Sequence, residues 1–428
     1  MILIKDCTIL PMTGKSDLLE CGYLVVDGQR IQTIAAGEAP GADRFDQVIE
    51  AKGMVAMPGL INAHTHCGMT LLRSYADDLP LMEWLETKIW PFESRLTEED
   101  YYWGTMLGIV EMIKSGTTTF NDMYFCLDQI VRAVDESGIR ASLARGMVGV
   151  SPDAENAFPD SRRLKDQCHG AGDGRIRIVL GPHAPYTCSP DYLKRVIALS
   201  EELDLPVHIH LAETLIEIEG VVAQHGKRPI ELMESIGLFN RPVMAAHCVH
   251  LTDQEIEILA RHGVGVIHNP ESNMKLASGV ARVPDMLKAG IPVAIGTDGA
   301  ASNNNLDMLQ ELRSCAYLHK VNTMNPLAVP AYQALEMATV NGAKVLGLNE
   351  VGTLEQGKKA DIILFDMEKP HLYPKHDVYA HIAYAALASD VDTVLVDGKV
   401  LMRERKLTTI DERRVLREAQ RCAERLGE

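Results

Sequence analysis

The chain has 428 residues, 46% of them hydrophobic and 24% charged, with a formal net charge of −17 at pH 7. That length admits one domain of about 250 residues with a sizeable core plus a smaller one, and the ordinary composition excludes a disordered or low-complexity protein. An acidic balance without a basic stripe repels phosphate backbones and anionic surfaces, so nucleic acid and membrane are excluded as expected partners.

The first residues, MILIKDCTILPM, lack a signal-peptide pattern, and no apolar run of about 18 residues follows anywhere. Nine cysteines, odd in number and without a Cys-x-x-Cys pair, fit reduced thiols better than a disulfide framework. Both features predict a cytoplasmic protein. Residues 1–57 carry short alternating runs around an Asp-Gly turn, YLVVDGQRIQTI, which is a hairpin signal.

From residue 58 to 300 one unit recurs: an amphipathic stretch, a Gly or Pro turn, and a short apolar run with polar residues at its end. The runs are GLINAHTH (59–66), GTTTFNDM (116–123), IRASLARG (139–146), IRIVLGPH (176–183), LPVHIHLAE (205–213), PVMAAHCVH (242–250), VGVIHNP (264–270) and IPVAIGTD (291–298). Strands that alternate with helices imply a parallel sheet, and eight such units predict a (β/α)8 TIM barrel with its site at the C-terminal strand ends. Residues 361–402 return to the hairpin style in ADIILFD and DTVLVDGKVLM. The expectation is therefore a barrel over 58–350 and a small, discontinuous β-sandwich domain made of 1–57 and 351–428. Residues 410–427 read as a charged surface helix with a solvated face.

The polar residues at the strand ends can now be pooled. Strand one ends in His64 and His66, which share a face because side chains two apart on a strand point the same way. Strand five ends in His210 with Glu213 three residues on, strand six in His247, and strand eight in Asp298. Imidazoles and a carboxylate suit a first-row divalent ion, Zn2+ above all, with Fe2+ also compatible. One ion is expected, because strand four ends in GPHAP, with His183 and no lysine to bridge a second metal. His247 is either a ligand or the residue that holds a metal-held water. Glu213 is surplus to a four-ligand set and is the expected proton carrier. His208, one layer deeper than His210, is expected in packing, and His250, His262 and His268 in structural or solvent-facing positions.

The motifs PGLINAHTHCGMTLLR (58–73), EWL (83–85), PFESRLT (91–97), GPHAPYTCS (181–189), HLAET (210–214), AAHCVHL (245–251), HNPESNMKLASG (268–279) and GTDGAASNNNLDM (296–308) span most of the chain. Through them the chain resembles the amidohydrolase superfamily and, within it, the 5-methylthioadenosine/S-adenosylhomocysteine deaminases. The resemblance implies one zinc on His64, His66, His210 and Asp298, proton shuttling by Glu213 with Asp298, and orientation of the nucleophile by His247. It also implies that Glu93 holds the ribose hydroxyls, Trp84 covers the ligand, His183 reaches the purine or ribose, and Arg145 attends the 5′ tail. Arg162 and Arg163 are the candidates for a second arginine at that tail. The expected activity is hydrolytic deamination of 5′-methylthioadenosine, S-adenosylhomocysteine, adenosine or 5′-deoxyadenosine to the inosine derivative and ammonia, by a homo-oligomer. Two alternatives stand beside it: the same fold and metal acting on another heterocycle, as in guanine deaminases and triazine hydrolases, and a non-catalytic barrel kept as a scaffold.

Overall fold

The computed structural model describes residues 1–427; Glu428, the last residue of the expected terminal domain, lies outside the described residues. Eight strands form the barrel: Leu60–Thr65, Thr117–Tyr124, Arg140–Met147, Ile176–Pro182, Val207–Leu211, Val243–His247, Gly265–His268 and Val293–Ile295. They lie side by side in sequence order, every adjacent pair parallel. Strand eight meets strand one through the Asp298 N–H, which donates to His64 O at 3.0 Å, and through a paired Asn62 and Thr297. Most strand residues are buried, which is why the runs read as apolar rather than alternating. The polar ends are short for a local reason: Pro270 opens a helix two residues past His268, and Asp298 turns the chain with φ +61°.

The outer helices carry clear start and stop signals. Glu98–Lys114 begins at Thr97, whose hydroxyl and backbone share the Asp100 carboxylate in a capping box. Asp253–His262 begins at Thr252 with Glu255 in the same role and stops at Gly263, φ +65°.

The two chain ends meet in one nine-stranded mixed sheet. Met54–Pro58 from the N-terminal part pairs antiparallel with Ile362–Asp366 from the C-terminal part, which joins segments that the barrel separates in sequence. The expected Asp-Gly hairpins are present; in the second, Asp397 at φ +52° and Gly398 at φ +73° make the left-handed pair that a two-residue turn requires. One sheet face packs Ile4, Leu24, Ile31, Ile362 and Leu395 into a core of its own. The other face, with Ile363, Phe365 and Val394, joins the barrel's core. The junction also holds a buried ion cluster. Arg140, at the start of strand three, donates to both Asp361 oxygens at 2.8 and 2.9 Å and to Asp397 at 3.0 Å.

The C-terminal helix corrects one expectation. Glu412–Gly427 is not simply a solvated face: Val415, Ala419, Cys422 and Leu426 form a buried stripe against Glu98–Lys114. Arg421 pairs with Glu99, Arg425 with Asp100, and Glu412 with Lys114. Among the described residues no helix is long and apolar enough to cross a membrane.

Candidate metal-dependent active site

At the C-terminal mouth, strand ends one, five, six and eight converge. His64 and His66 project together from strand one, as their spacing predicts, and His210, His247 and Asp298 arrive from the other three. His247 and Asp298 sit in the left-handed region, at φ +71° and +61°, as does Ala212 at +51° just past strand five. Such conformations cost roughly 1–3 kcal/mol each for non-glycine residues and persist where surrounding contacts over-determine them. Gly296 makes the approach of strand eight to strand one possible, since a Cβ there would lie 2.7 Å from His64 N and 2.8 Å from Asn269 Oδ1.

The donor atoms show what this mouth is built to hold. His66 Nδ1–H donates to Met123 O at 2.6 Å and His210 Nδ1–H to His183 O at 2.7 Å, which leaves the Nε2 atoms to face one another at 3.3 Å. Asp298 Oδ1 lies 3.3 Å from His64 Nε2 and 3.3 Å from His66 Nε2. A tetrahedral ion with ligand bonds of about 2.0–2.1 Å has ligand–ligand edges of about 3.3–3.4 Å, so these spacings fit one. His64 Nε2 is a buried polar atom with no hydrogen-bond partner, aimed into the same space. Electrostatics agree. Burial lowers His64 to about 4 and holds His210 well below its ordinary value. On His66 burial also acts downward, but Asp298 overrides it and pushes the imidazole up to about 9. Asp298, which burial alone would raise, is held well below the carboxylate range by His64 and His66. The focus therefore presents an ionised carboxylate beside imidazoles that burial keeps neutral at His64 and His210, a donor set that suits a divalent ion. His64, His66, His210, His247 and Asp298 all fall into groups whose ligand atoms lie within 4.8 Å of one another.

The other carboxylate oxygen is occupied. Ser272 Oγ and Ser302 Oγ donate to Asp298 Oδ2 at 2.7 and 2.9 Å. His247 Nδ1–H donates to Asn273 Oδ1 at 2.9 Å, and its Nε2 lies 3.8 Å from Glu213 Oε2. Glu213 is buried, and burial raises its carboxyl above the ordinary value. A carboxyl group so placed can hold a proton beside the metal focus and release it. His208 lies behind the site, with Nε2 2.9 Å from His64 Nδ1.

A cavity of about 510 Å³ opens from this focus and is lined by His66, His183, His210, Glu213, His247 and Asp298 at its floor. Trp84 and Glu93 form part of its wall, on a helical segment that follows strand one and contains a π-helical turn, Leu85–Ile89. Trp84 is anchored by its indole N–H to Ala76 O at 2.9 Å. Glu93 accepts the Tyr124 hydroxyl at 2.7 Å, and burial pushes its carboxyl up to about 7. His183, lowered to about 3 by burial, pairs with Thr187 Oγ1 at 2.9 Å. Arg145 is placed differently: its guanidinium is held by Asp153, and the cavity is lined in this stretch not by Arg145 but by Gly146, Val148, Val150, Ser151 and Pro152. Arg162 and Arg163 lie on the outer helix Ala157–Cys168, paired with Glu202 and Asp128.

Of the remaining histidines, His250 Nε2 is bonded to Ser278 O, His262 faces Glu234, and His268 Nε2 meets His319 Nε2 at 3.1 Å beside Cys315. Burial lowers both members of that last pair, as suits a hydrogen bond between neutral imidazoles. Residues that the sequence did not single out are Tyr124, Ser272, Asn273, Ser278 and Ser302. Four of these lie inside the sequence motifs that carry the family resemblance, and Tyr124 directly follows NDM at the end of strand two, so motif membership was the available signal.

Converging imidazole lone pairs, a shared carboxylate and a proton-holding glutamate at a barrel mouth are the equipment of a metal-dependent hydrolase. The chain belongs to the amidohydrolase family, whose pattern matches residues 55–401. It is 58% identical over 427 residues to a 5-methylthioadenosine/S-adenosylhomocysteine deaminase of Syntrophomonas wolfei subsp. wolfei, covering 99% of each chain. Among solved structures it is similar to an adenosine deaminase from Xanthomonas campestris with bound zinc, at 36% identity and a TM-score of 0.94, covering 100% of this chain and 98% of that one. It is also similar to the zinc complex of an atrazine chlorohydrolase from Arthrobacter aurescens TC1, at 25% identity and a TM-score of 0.92, over 99% of this chain and 100% of that one.

Proposed function

We infer that the chain hydrolytically deaminates adenosine derivatives, converting the 6-amino group to a 6-oxo group with release of ammonia. The observation that carries this reading is the joint presence, in one cavity, of the mouth suited to a divalent ion and the carboxylate pair Glu213 and Glu93. High identity to deaminases named for 5-methylthioadenosine and S-adenosylhomocysteine supports the nucleoside over guanine or a triazine. His64, His66, His210 and Asp298 would hold one Zn2+, which when bound supplies the Lewis acidity that makes water nucleophilic near neutral pH. Glu213 takes the proton from that water and delivers it to the ring nitrogen, and together with Asp298 it moves a proton to the leaving amine. His247, fixed by Asn273, orients the nucleophile through Nε2. Glu93, backed by Tyr124, accepts the ribose hydroxyls, Trp84 covers the base, and His183 reaches the purine or ribose.

The wall of Val148, Val150, Ser151 and Pro152 carries no charged side chain, which favours an uncharged 5′ substituent, such as methylthio or the bare 5′-deoxy carbon, over a charged homocysteine tail. Arg145 would reach such a tail only by leaving Asp153. In this reading residues 58–350 carry the chemistry, the two chain ends form the supporting domain, and the enzyme works as a cytoplasmic homo-oligomer. The test is a panel: methylthioadenosine, S-adenosylhomocysteine, adenosine, 5′-deoxyadenosine, guanine and a chloro-triazine, assayed for ammonia or chloride with the metal-loaded protein. Turnover of guanine or triazine alone would move the activity to another heterocycle. Binding of nucleosides without turnover of any would leave a scaffold.

A further inference from the structure

Strand five ends at Leu211, and the next residue, Ala212, turns the chain with φ +51°, a conformation that a Cβ disfavours. Glu213 follows directly, so this turn decides where its carboxylate goes. Two sets of contacts hold it. Ala212 O accepts the N–H groups of Val249 and His250, each at 3.0 Å, which ties the turn to the loop after strand six. On the other side Glu217 uses both carboxylate oxygens: Oε1 accepts the Ala212 N–H at 3.0 Å and Oε2 the Glu213 N–H at 2.8 Å.

Glu217 is buried, 5% exposed, in the first turn of the helix Leu215–His225. Thr214 caps that helix by accepting the Glu217 N–H at 3.2 Å. In sequence, Thr-x-x-Glu is the pattern of a capping box, in which the glutamate reaches back to the backbone of the capping threonine. Here the carboxylate reaches further back, past Thr214, to the two residues that precede it. It therefore spans the helix start and the catalytic turn.

We propose that Glu217 is a positioning residue for Glu213, its carboxylate clamping the left-handed turn at Ala212 that delivers Glu213 to the barrel mouth. The inference rests on the reading of Glu213 as proton carrier. Its consequence is specific, because Glu213 Oε2 lies 3.8 Å from His247 Nε2 and Oε1 3.3 Å from Ser278 Oγ, and a shift of its backbone nitrogen moves both oxygens. Displacement of about 1 Å at a reacting group can cost roughly 100-fold in rate.

The experiment uses the metal-loaded full chain. Glu217→Gln keeps the size but turns an amide NH2 toward one of the two N–H donors. Its kcat should fall at least about tenfold while KM stays within about threefold and the metal-to-protein ratio is unchanged. Adding Ala212→Gly, which removes the Cβ cost of the turn, should recover at least about threefold of that loss. A kcat for Glu217→Gln within about twofold of the parent, or a double variant no faster than the single one, would overturn the proposal. Should Glu217→Gln not accumulate as folded protein, Glu217→Asp, which keeps the charge but reaches one carbon less, replaces it with the same expected pattern and the same refuting results. Glu213→Gln, measured alongside, separates the two layers. If it retains the parent kcat, the proton-carrier reading fails; if it is slow while Glu217→Gln is not, only the positioning role fails.

Discussion

Arg140 joins the barrel to the terminal sheet, and its removal should be felt in stability and not in chemistry. Arg140 is 5% exposed and its guanidinium donates to Asp361 and Asp397, themselves 4% and 2% exposed. Arg140→Met would leave Asp361 without its ion-pair partner and Asp397 with Lys359 alone, 3.0 Å away. Breaking a buried pair from one side costs about 3–5 kcal/mol, because the remaining charge stays desolvated. An unfolding entropy of about 2.1 cal/mol/K per residue over 428 residues gives about 0.9 kcal/mol/K, so Tm should fall by about 3–6 °C. Arg140→Lys keeps the charge but loses the two-pronged contact with Asp361, and should fall between the parent and the methionine variant. Thermal unfolding followed by circular dichroism at pH 7 measures this. Strand three runs from Arg140 to Met147, and Arg140 sits at the end away from the mouth, so kcat at 25 °C should stay within about twofold. A Tm change below about 1 °C in Arg140→Met would refute the claim that this cluster fastens the two parts together.

His66→Ala should strip most of the metal, since it removes one of the donors around the focus; elemental analysis after dialysis against a chelator should find about one ion per chain in the parent and far less in the variant. Glu213→Gln should lower kcat by about 10²–10⁴ with the metal content intact, and a variant as active as the parent would remove Glu213 from the proton path. Glu93→Gln should reduce kcat/KM on methylthioadenosine more than on its 2′,3′-dideoxy analogue, and equal losses on both would end the ribose role. The Glu93 carboxyl lies at about 7 in the folded protein, raised by burial and pulled back by the Tyr124 hydroxyl. It is therefore an acceptor for sugar hydroxyls mainly above that pH, so kcat/KM for ribonucleosides should rise as pH passes through about 7. Tyr124→Phe removes the donor that favours the carboxylate and should move this limb to higher pH; persistence of an unshifted limb in Glu93→Gln would assign it to another group.

Periodicity and turn chemistry are local, and they make the barrel, its eight strand ends and the terminal hairpins legible in the order of residues alone. The His-Thr-His spacing needs only the alternation of a strand to place two imidazoles together, and Asp-Gly needs only its backbone preferences to turn a hairpin. Within the site the sequence determined which residue types stand at the mouth. Their partners were decided by tertiary structure, because each contact joins loops from different βα units whose approach depends on closure of the barrel. Tyr124 from strand two meets Glu93 from the segment after strand one, and Ser272 and Ser302 from two separate short helices meet on Asp298. The family resemblance assigns Arg145 to the ligand tail, and the fold of the following loop brings Asp153 against its guanidinium. Glu217 reads locally as a helix cap, and only the left-handed turn at Ala212 carries two backbone N–H groups into reach of its carboxylate. The C-terminal helix makes the same point at the level of packing: its charges are evident in sequence, but the value of its four-residue apolar stripe depends on Glu98–Lys114 being there to cover it. Local geometry follows from neighbours along the chain, whereas a hydrogen bond or ion pair across the barrel mouth requires the whole closed sheet to bring its two halves within about 3 Å.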